Sequence, residues 1–234
     1  MSTATSALPN NDAVLGLIRG LVGDRKVRVL DLGGGSGVYA VAIAADGHTV
    51  QVLDHSNDAL ATLARRAESA GVGDRVTGRN VDLDNVREPI EVDSADIVLC
   101  HRVLEFVGSP QDILSAAAAA LPAGGTLSVV AANRPGAALS RIISGRLEEA
   151  DAILDDSVPG PAGRRFDADE LTELLESLDL QVTHVRGVGL LGELNPAEAE
   201  ASGARELAQR VAADPFLARA APLLHIVAVR GNGA

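Results

Sequence analysis

Short apolar runs rich in β-branched residues alternate along this chain with longer segments of helical periodicity. Lys26–Leu32 (KVRVLDL) predicts a buried strand, and Val38–Gly47 (VYAVAIAADG) a helix stopped by glycine. His48–Asp54 predicts a second strand. Ser56–Gly71 follows as a helix, with Ser56 or Asn57 at its N-cap and Gly71 as its stop. Asp74–Leu83 reads as a third strand running into a turn, Ser94–Val103 holds a fourth, and residues 110–125 hold a helix. Thr126–Ala132 predicts a fifth strand. Strands alternating with helices in this way predict a parallel sheet wrapped by helices.

After Ala132 the rhythm breaks. Residues 133–165 form an insert of helical character that closes in a turn-rich stretch, and residues 166–180 resume as a helix with Asp167 at its N-cap. Gln181–Leu191 reads as a sixth strand, residues 193–221 as a second, mostly helical insert, and Leu223–Arg230 as a closing strand. No internal repeat and no linker rich in Gly, Ser and Pro divides the chain. The expectation is one domain over residues 1–234, with a ligand-binding core at about 26–132 and two inserts on the acceptor side.

The composition narrows the classes. Of 234 residues, 47% are hydrophobic and 22% charged, enough for a packed core and too apolar for a disordered chain. No apolar run reaches the ~18 residues of a membrane helix, and the N-terminus carries no secretory pattern, so a cytoplasmic location is expected. The single cysteine, Cys100, excludes a disulfide framework and a multi-cysteine metal site, and it reads as a buried small hydrophobe. The five histidines show no metal-ligand spacing. With 20 basic against 32 acidic side chains the net charge is −12, which disfavours a polyanionic partner. Lys26 is the only lysine, and the insert from Arg134 to Arg165 balances five arginines with five acids.

The most informative stretch is Val29–Gly37 (VLDLGGGSG), between a strand and a helix. Glycines there allow a sharp turn and the approach of a ligand to the backbone. Gly35–Ala40 (GSGVYA) even satisfies the dinucleotide pattern G-x-G-x-x-G/A, and Asp54 lies about where a ribose-binding acid belongs. Asp31 decides between ligands. Its carboxylate, ending the first strand, would repel a pyrophosphate but would attract S-adenosylmethionine (SAM), which carries an ammonium and a sulfonium. At the later strand ends, Asp54 offers two oxygens to two ribose hydroxyls. Asp82 and Leu83 offer a carboxylate or backbone to the adenine amino group and an apolar contact to its face. His101 follows the fourth strand beside the expected methyl donor. His55 either lines the adenosine pocket or lies in a surface turn. No Gly-Lys-Ser/Thr follows the loop, so a P-loop nucleotidase is excluded.

With these positions in order, the chain resembles the class I SAM-dependent methyltransferases. Asp31-x-Gly33-x-Gly35-x-Gly37 matches their glycine motif, Asp54 their ribose acid and Asp82 their adenine-side acid. Ser94–Val107 (SADIVLCHRVLEFV) resembles their fourth-strand segment. The resemblance implies an α/β, Rossmann-like sheet of seven strands, mostly parallel, with helices on both faces and an antiparallel last strand. More narrowly, GGG, HRVLEFV and LLHIV resemble the bacterial enzymes that methyl-esterify carboxymethoxyuridine in tRNA. That similarity implies contacts of Gly33, Gly34, Asp54 and His101 with SAM. The chain departs from those enzymes in its N-terminal segment and in its acidic, aromatic-poor inserts.

Methyl transfer proceeds by in-line displacement at an activated sulfonium, so alignment of acceptor and methyl carries much of the acceleration. His101, then Glu105, are the candidates for a base that takes the acceptor's proton; alternatively His101 packs against the cofactor. His225, in the last strand, reads as structural. Arg141, Arg146, Arg164 and Arg165 either meet an acceptor carboxylate or pair with neighbouring acids. With no Trp, one Tyr and three Phe, few stacking platforms exist for bases, and a small-molecule acceptor is expected. A tRNA-modifying enzyme and a non-catalytic SAM-binding protein are the alternatives.

Overall fold

The computed structural model describes residues 11–22, 25–85, 95–155, 163–191 and 204–231. The second insert's first part, residues 193–203, and the turn-rich 156–162 lie outside them. A helix not foreseen from the sequence, α1 (Asn11–Val22), precedes β1 (Arg28–Leu32), α2 (Val38–Ala45), β2 (Thr49–Asp54), α3 (Asn57–Ser69) and β3 (Val76–Asn80). A 3-10 turn at Leu83–Asn85 precedes β4 (Ile97–His101), α4 (Pro110–Ala119) and β5 (Thr126–Ala132). The first insert forms α5 (Arg134–Ile143) and α6 (Leu147–Leu154), and α7 (Ala168–Glu176) leads into β6 (Leu180–Val188). Next come α8 (Ala204–Ala213), α9 (Pro215–Ala220) and β7 (Leu223–Arg230).

The seven strands form one sheet in the order β3-β2-β1-β4-β5-β7-β6. β7 runs antiparallel to both β5 and β6, while the pairs among β1 to β5 are parallel. The third strand runs into a turn within the expected stretch, with β3 ending at Asn80. Only Val76 of β3 is buried, because β3 is an edge strand, and Leu83 opens the 3-10 turn that follows it.

Period-two alternation sorts each central strand onto two cores. Leu30, Leu32, Leu53, Val98 and Cys100 face one side, where α4 and α7 bury Ile113, Leu114, Leu171 and Leu175. Val29, Val50, Val52, Ile97, Leu99 and Val130 face the other, covered by α1, α2 and α3 through Ile18, Ile43 and Leu63. Burying one such Leu or Ile side chain contributes about 1.5–3 kcal/mol. The helices begin where side chains cap them: Ser56 Oγ accepts from the Ala59 N–H at 3.2 Å, Ser109 Oγ from Asp112 and Asp167 from Glu170. Each such cap is worth about 1 kcal/mol. Among the described residues no helix is long and apolar enough to cross a membrane.

The topology positions the site. From β1 the chain winds outward to β2 and β3, then crosses back to β4 on the other side of β1. This reversal opens a crevice at the carboxyl ends of β1 and β4, where open α/β sheets bind ligands.

Candidate SAM site at the strand ends

The glycine turn is built by backbone geometry that side chains would prevent. Gly33, Gly35 and Gly37 all have positive φ, at 66°, 55° and 74°. A Cβ on Gly33 would come within 2.6 Å of Val103 Cγ2, one on Gly34 within 2.4 Å of Asp31 Oδ2, and one on Gly37 within 2.0 Å of Leu63 Cδ1. The loop therefore lies tight over the ends of β1 and β4 and against α3, with the Gly33 N–H donating to Leu53 O at 2.7 Å.

Alternation carries Asp31, Asp54 and His101 onto one face, because Val29, Val52 and Leu99, two residues earlier on each strand, share a core. Asp54 Oδ2 accepts from the Gly35 N–H at 2.9 Å and Oδ1 from the Ser56 N–H at 2.8 Å. Each carboxylate oxygen can still accept from a second donor. Asp31 is 2% exposed and its Oδ2 has no hydrogen-bond partner. Burial first, and then the Asp54 charge, push its carboxyl up to about 7. A buried carboxylate oxygen without a hydrogen-bond partner favours a donor or cation in the space it faces.

The other predicted residues take different positions. His55 is an exposed rim residue, its Nδ1 3.8 Å from Asp54 Oδ1. Asp82 is exposed and Oδ1 accepts from the Asp84 N–H at 3.1 Å. Leu83 is half-buried against the core. Asp84 Oδ1 in turn accepts from the Gly108 N–H at 2.7 Å, tying the turn after β3 to the loop after β4.

His101 belongs to a buried network that the sequence did not disclose. Its Nε2 lies 2.9 Å from Ser128 Oγ, which lies 2.9 Å from His225 Nε2. One hydroxyl proton can serve only one of the two rings, so the other ring must donate to Ser128 and the two histidines hold opposite tautomers. Burial, then the neighbouring His225, hold His101 down at about 3. Burial, then Arg186 and His184, hold His225 at about 4. Both rings are neutral at physiological pH. His101 Nδ1 is buried without a partner, and the ring meets Tyr39 edge-on at 6.0 Å between centroids.

Glu105, 3% exposed, accepts from the Ala132 N–H at 2.8 Å through Oε1 and lies 2.6 Å from Arg102 Nε. Its carboxyl is raised by burial, opposed by the Arg102 charge and by these hydrogen bonds. It pins the loop after β4 to the end of β5. Arg102 itself was not a candidate from the sequence, yet it is one of only two non-glycine positive-φ residues among those described, at φ 61°. Of the insert arginines, Arg141 and Arg146 pair with Glu149, and Arg164 lies 6.0 Å from the centroid of the Phe166 ring.

Residues 30–127 match the methyltransferase-domain family. The tRNA 5-carboxymethoxyuridine methyltransferase of Escherichia coli (strain K12) is 32% identical over 131 residues, covering 56% of this chain and 50% of that relative. A ubiquinone biosynthesis O-methyltransferase of Paracidovorax citrulli is 31% identical over 188 residues, 80% of this chain and 75% of the relative. Magnesium protoporphyrin IX methyltransferase from Synechocystis PCC 6803, with bound S-adenosylhomocysteine (SAH), superimposes with a TM-score of 0.63 at 15% identity. That match covers 94% of this chain and 81% of the other. The chain belongs to the class I SAM-dependent methyltransferases, and SAM is their cofactor. It spans half the length of the E. coli relative.

Proposed function

We propose that the protein moves the methyl group of SAM to an oxygen or nitrogen of a small-molecule acceptor. The observation that carries this reading is the convergence of Asp31, Asp54 and the glycine turn at the junction of β1, β2 and β4, with Asp31 Oδ2 buried and unpartnered. SAM supplies a methyl group already activated on a sulfonium. In this reading Asp54 accepts the ribose hydroxyls with the lone pairs left by Gly35 and Ser56. Asp31 faces the ammonium, and the glycine turn leaves room for the amino-acid end. Leu83 covers one face of the adenine, with Asp82 near its amino group and His55 at the rim.

His101 serves this site as a neutral wall. Its Nε2 is engaged with Ser128 and burial holds its ring well below the usual imidazole range, which makes it a weak base for the acceptor's proton and leaves the alignment of acceptor and methyl to carry the reaction. Glu105 is a positioning residue that holds Arg102 and Ala132 in place. The helices α5, α6, α8 and α9 frame the acceptor side. With Arg141 and Arg146 spent on Glu149 and a net charge of −12, this side favours a small acceptor over a long polyanion. The similarity to the E. coli tRNA methyltransferase supports tRNA as the second reading.

Calorimetric titration with SAM and SAH, with NAD(H) in parallel, tests the donor. Micromolar binding of the first two alone is expected, and Asp54→Ala should weaken it at least tenfold; unchanged affinity would remove Asp54 from the ribose. A transfer assay with radiolabelled SAM then screens small hydroxyl and amine acceptors before tRNA. Methylation of tRNA alone would replace the small-molecule reading.

A further inference from the structure

One row of residues crosses four strands of the sheet. His101 on β4 pairs with Val130 on β5, Val130 with His225 on β7, and His225 with Arg186 on β6. Side chains paired directly across antiparallel strands share a face, with Cβ atoms about 4.5–5.5 Å apart. Ser128 lies two residues before Val130 on the same face and is fully buried. Its hydroxyl bridges the two histidine rings, 2.9 Å from the Nε2 atom of each.

The bridge allows two proton arrangements. Either His101 donates to Ser128 and Ser128 to His225, or the hydrogens run the other way. Each arrangement leaves an N–H on one Nδ1 and a lone pair on the other, and neither Nδ1 has a hydrogen-bond partner among the described residues. Arg186 decides between them, because its guanidinium stays charged. His225 turns Nε2 toward Ser128 on β5, whereas Arg186 stands on the opposite side, on β6. A hydrogen on Nε2 puts the positive end of the His225 ring dipole on the β5 side, away from that cation, and leaves Nδ1 a lone pair. His225 therefore donates to Ser128, Ser128 donates to His101 Nε2, and the one ring hydrogen of His101 stays on Nδ1. His101 is also the ring that a ligand can reach. It is the last residue of β4, at the crevice, and is 9% exposed against 2% for His225. A buried N–H without a partner is costly, and an oxygen entering the crevice would relieve that cost.

We propose that His225, acting through Ser128, holds His101 as its Nδ1–H tautomer, so that His101 meets the methyl acceptor as a hydrogen-bond donor and has no free lone pair with which to act as a base. His225 and Ser128 are then positioning residues. The occupant of the crevice rests on the SAM reading, whereas the tautomer is a property of the free protein. A donor at this place favours oxygen acceptors over amines. An oxygen can attack the methyl with one lone pair and accept from His101 with another, while an amine has only one to spend.

Nitrogen-15 spectra of the histidine-labelled full chain, without ligand and with SAH, read the tautomers directly. His101 should show a protonated Nδ1 and a bare Nε2, and His225 the reverse. Two variants separate the relay from the packing. His225→Gln keeps an amide that can donate to Ser128 and should leave His101 in the same tautomer, whereas His225→Leu should let His101 take up the Nε2–H form. On the acceptor found with radiolabelled SAM, turnover should fall about tenfold in His225→Leu, the loss of one hydrogen bond, and stay within threefold in His225→Gln. A bare Nδ1 on His101 in the unmodified protein would overturn the proposal, and so would a mixture of tautomers. Equal turnover in the two variants would also overturn it, since the tautomer would then have no bearing on the reaction. If SAH does not bind while His101 keeps its Nδ1–H, the SAM reading fails and the tautomer assignment stands.

Discussion

Replacing Asp31 by Asn should make the ligand-free protein more stable and its cofactor binding weaker. Asp31 is 2% exposed, lacks a partner at Oδ2 and is pushed up to about 7, from an ordinary 3.8, by burial and then by Asp54. A carboxyl whose folded value is raised binds its proton more tightly when folded. The stability present below pH 4 is therefore lost progressively as the pH climbs to about 7, and above that the full penalty stays. At 1.36 kcal/mol per pH unit, with relaxation of the buried site taken into account, the penalty is about 2–4 kcal/mol. Asn is of similar size and carries no charge, so Asp31→Asn should raise the Tm of the free protein at pH 8 by about 5–15 °C and change it little at pH 4. SAH should reverse the order. Its ammonium stabilises the ionised carboxylate, so the unmodified protein gains more Tm from saturating SAH at pH 8 than the variant does. Scanning calorimetry at both pH values, with and without SAH, reads all four quantities. A variant no more stable than the parent at pH 8, or one that gains as much from SAH, would refute the account of Asp31 as a charge held ready for a cation.

Gly37→Ala should destabilise the protein and abolish SAH binding, because φ 74° and Leu63 Cδ1, at 2.0 Å from the new Cβ, leave the methyl no room; a normal Tm with normal affinity would contradict the observed turn. Glu105→Ala strands the buried Ala132 N–H and should cost about 1–3 kcal/mol in urea unfolding, while Glu105→Gln, which can still accept that hydrogen bond, should cost less. Equal losses would show that charge, not the hydrogen bond, is what Glu105 provides. Nitrogen-15 spectra should find His101 and His225 as opposite neutral tautomers from pH 6 to 8, and Ser128→Ala should shift both. Two rings in the same tautomer, or a His101 titration near pH 6.5, would break the network described here.

Much of the site was legible in the sequence, for local reasons. Positive φ without a Cβ penalty restricts the turn to glycine, so Gly33, Gly35 and Gly37 could be read as a tight turn from the sequence. Charge type is local too: a carboxylate suits a cationic ligand better than a pyrophosphate and offers two oxygens to two hydroxyls, which singled out Asp31 and Asp54. Strand alternation is also local, and it placed both acids correctly at the strand ends. Elements bounded by caps, such as α3 at Ser56 and α7 at Asp167, fell where the sequence put them.

What the sequence could not supply is whatever depends on which strands become neighbours. His101, Ser128 and His225 are 27 and 97 residues apart, and they meet only because β4, β5 and β7 lie side by side with β7 reversed. Arg102 reads as one more polar residue in HRVLEFV until its φ of 61° and its ion pair with the buried Glu105 are seen together. Glu105, a base candidate by spacing, accepts from the Ala132 N–H only because β5 ends beside it on the neighbouring strand. Even α1 went unforeseen, since its apolar residues Val14, Ile18 and Val22 gain their meaning from the core they join with Val29 and Val50. Residue identity fixes what a position can do chemically and how its own backbone can turn. The sheet order fixes its neighbours, which decide whether that chemistry is exposed, neutralised or held ready for a ligand.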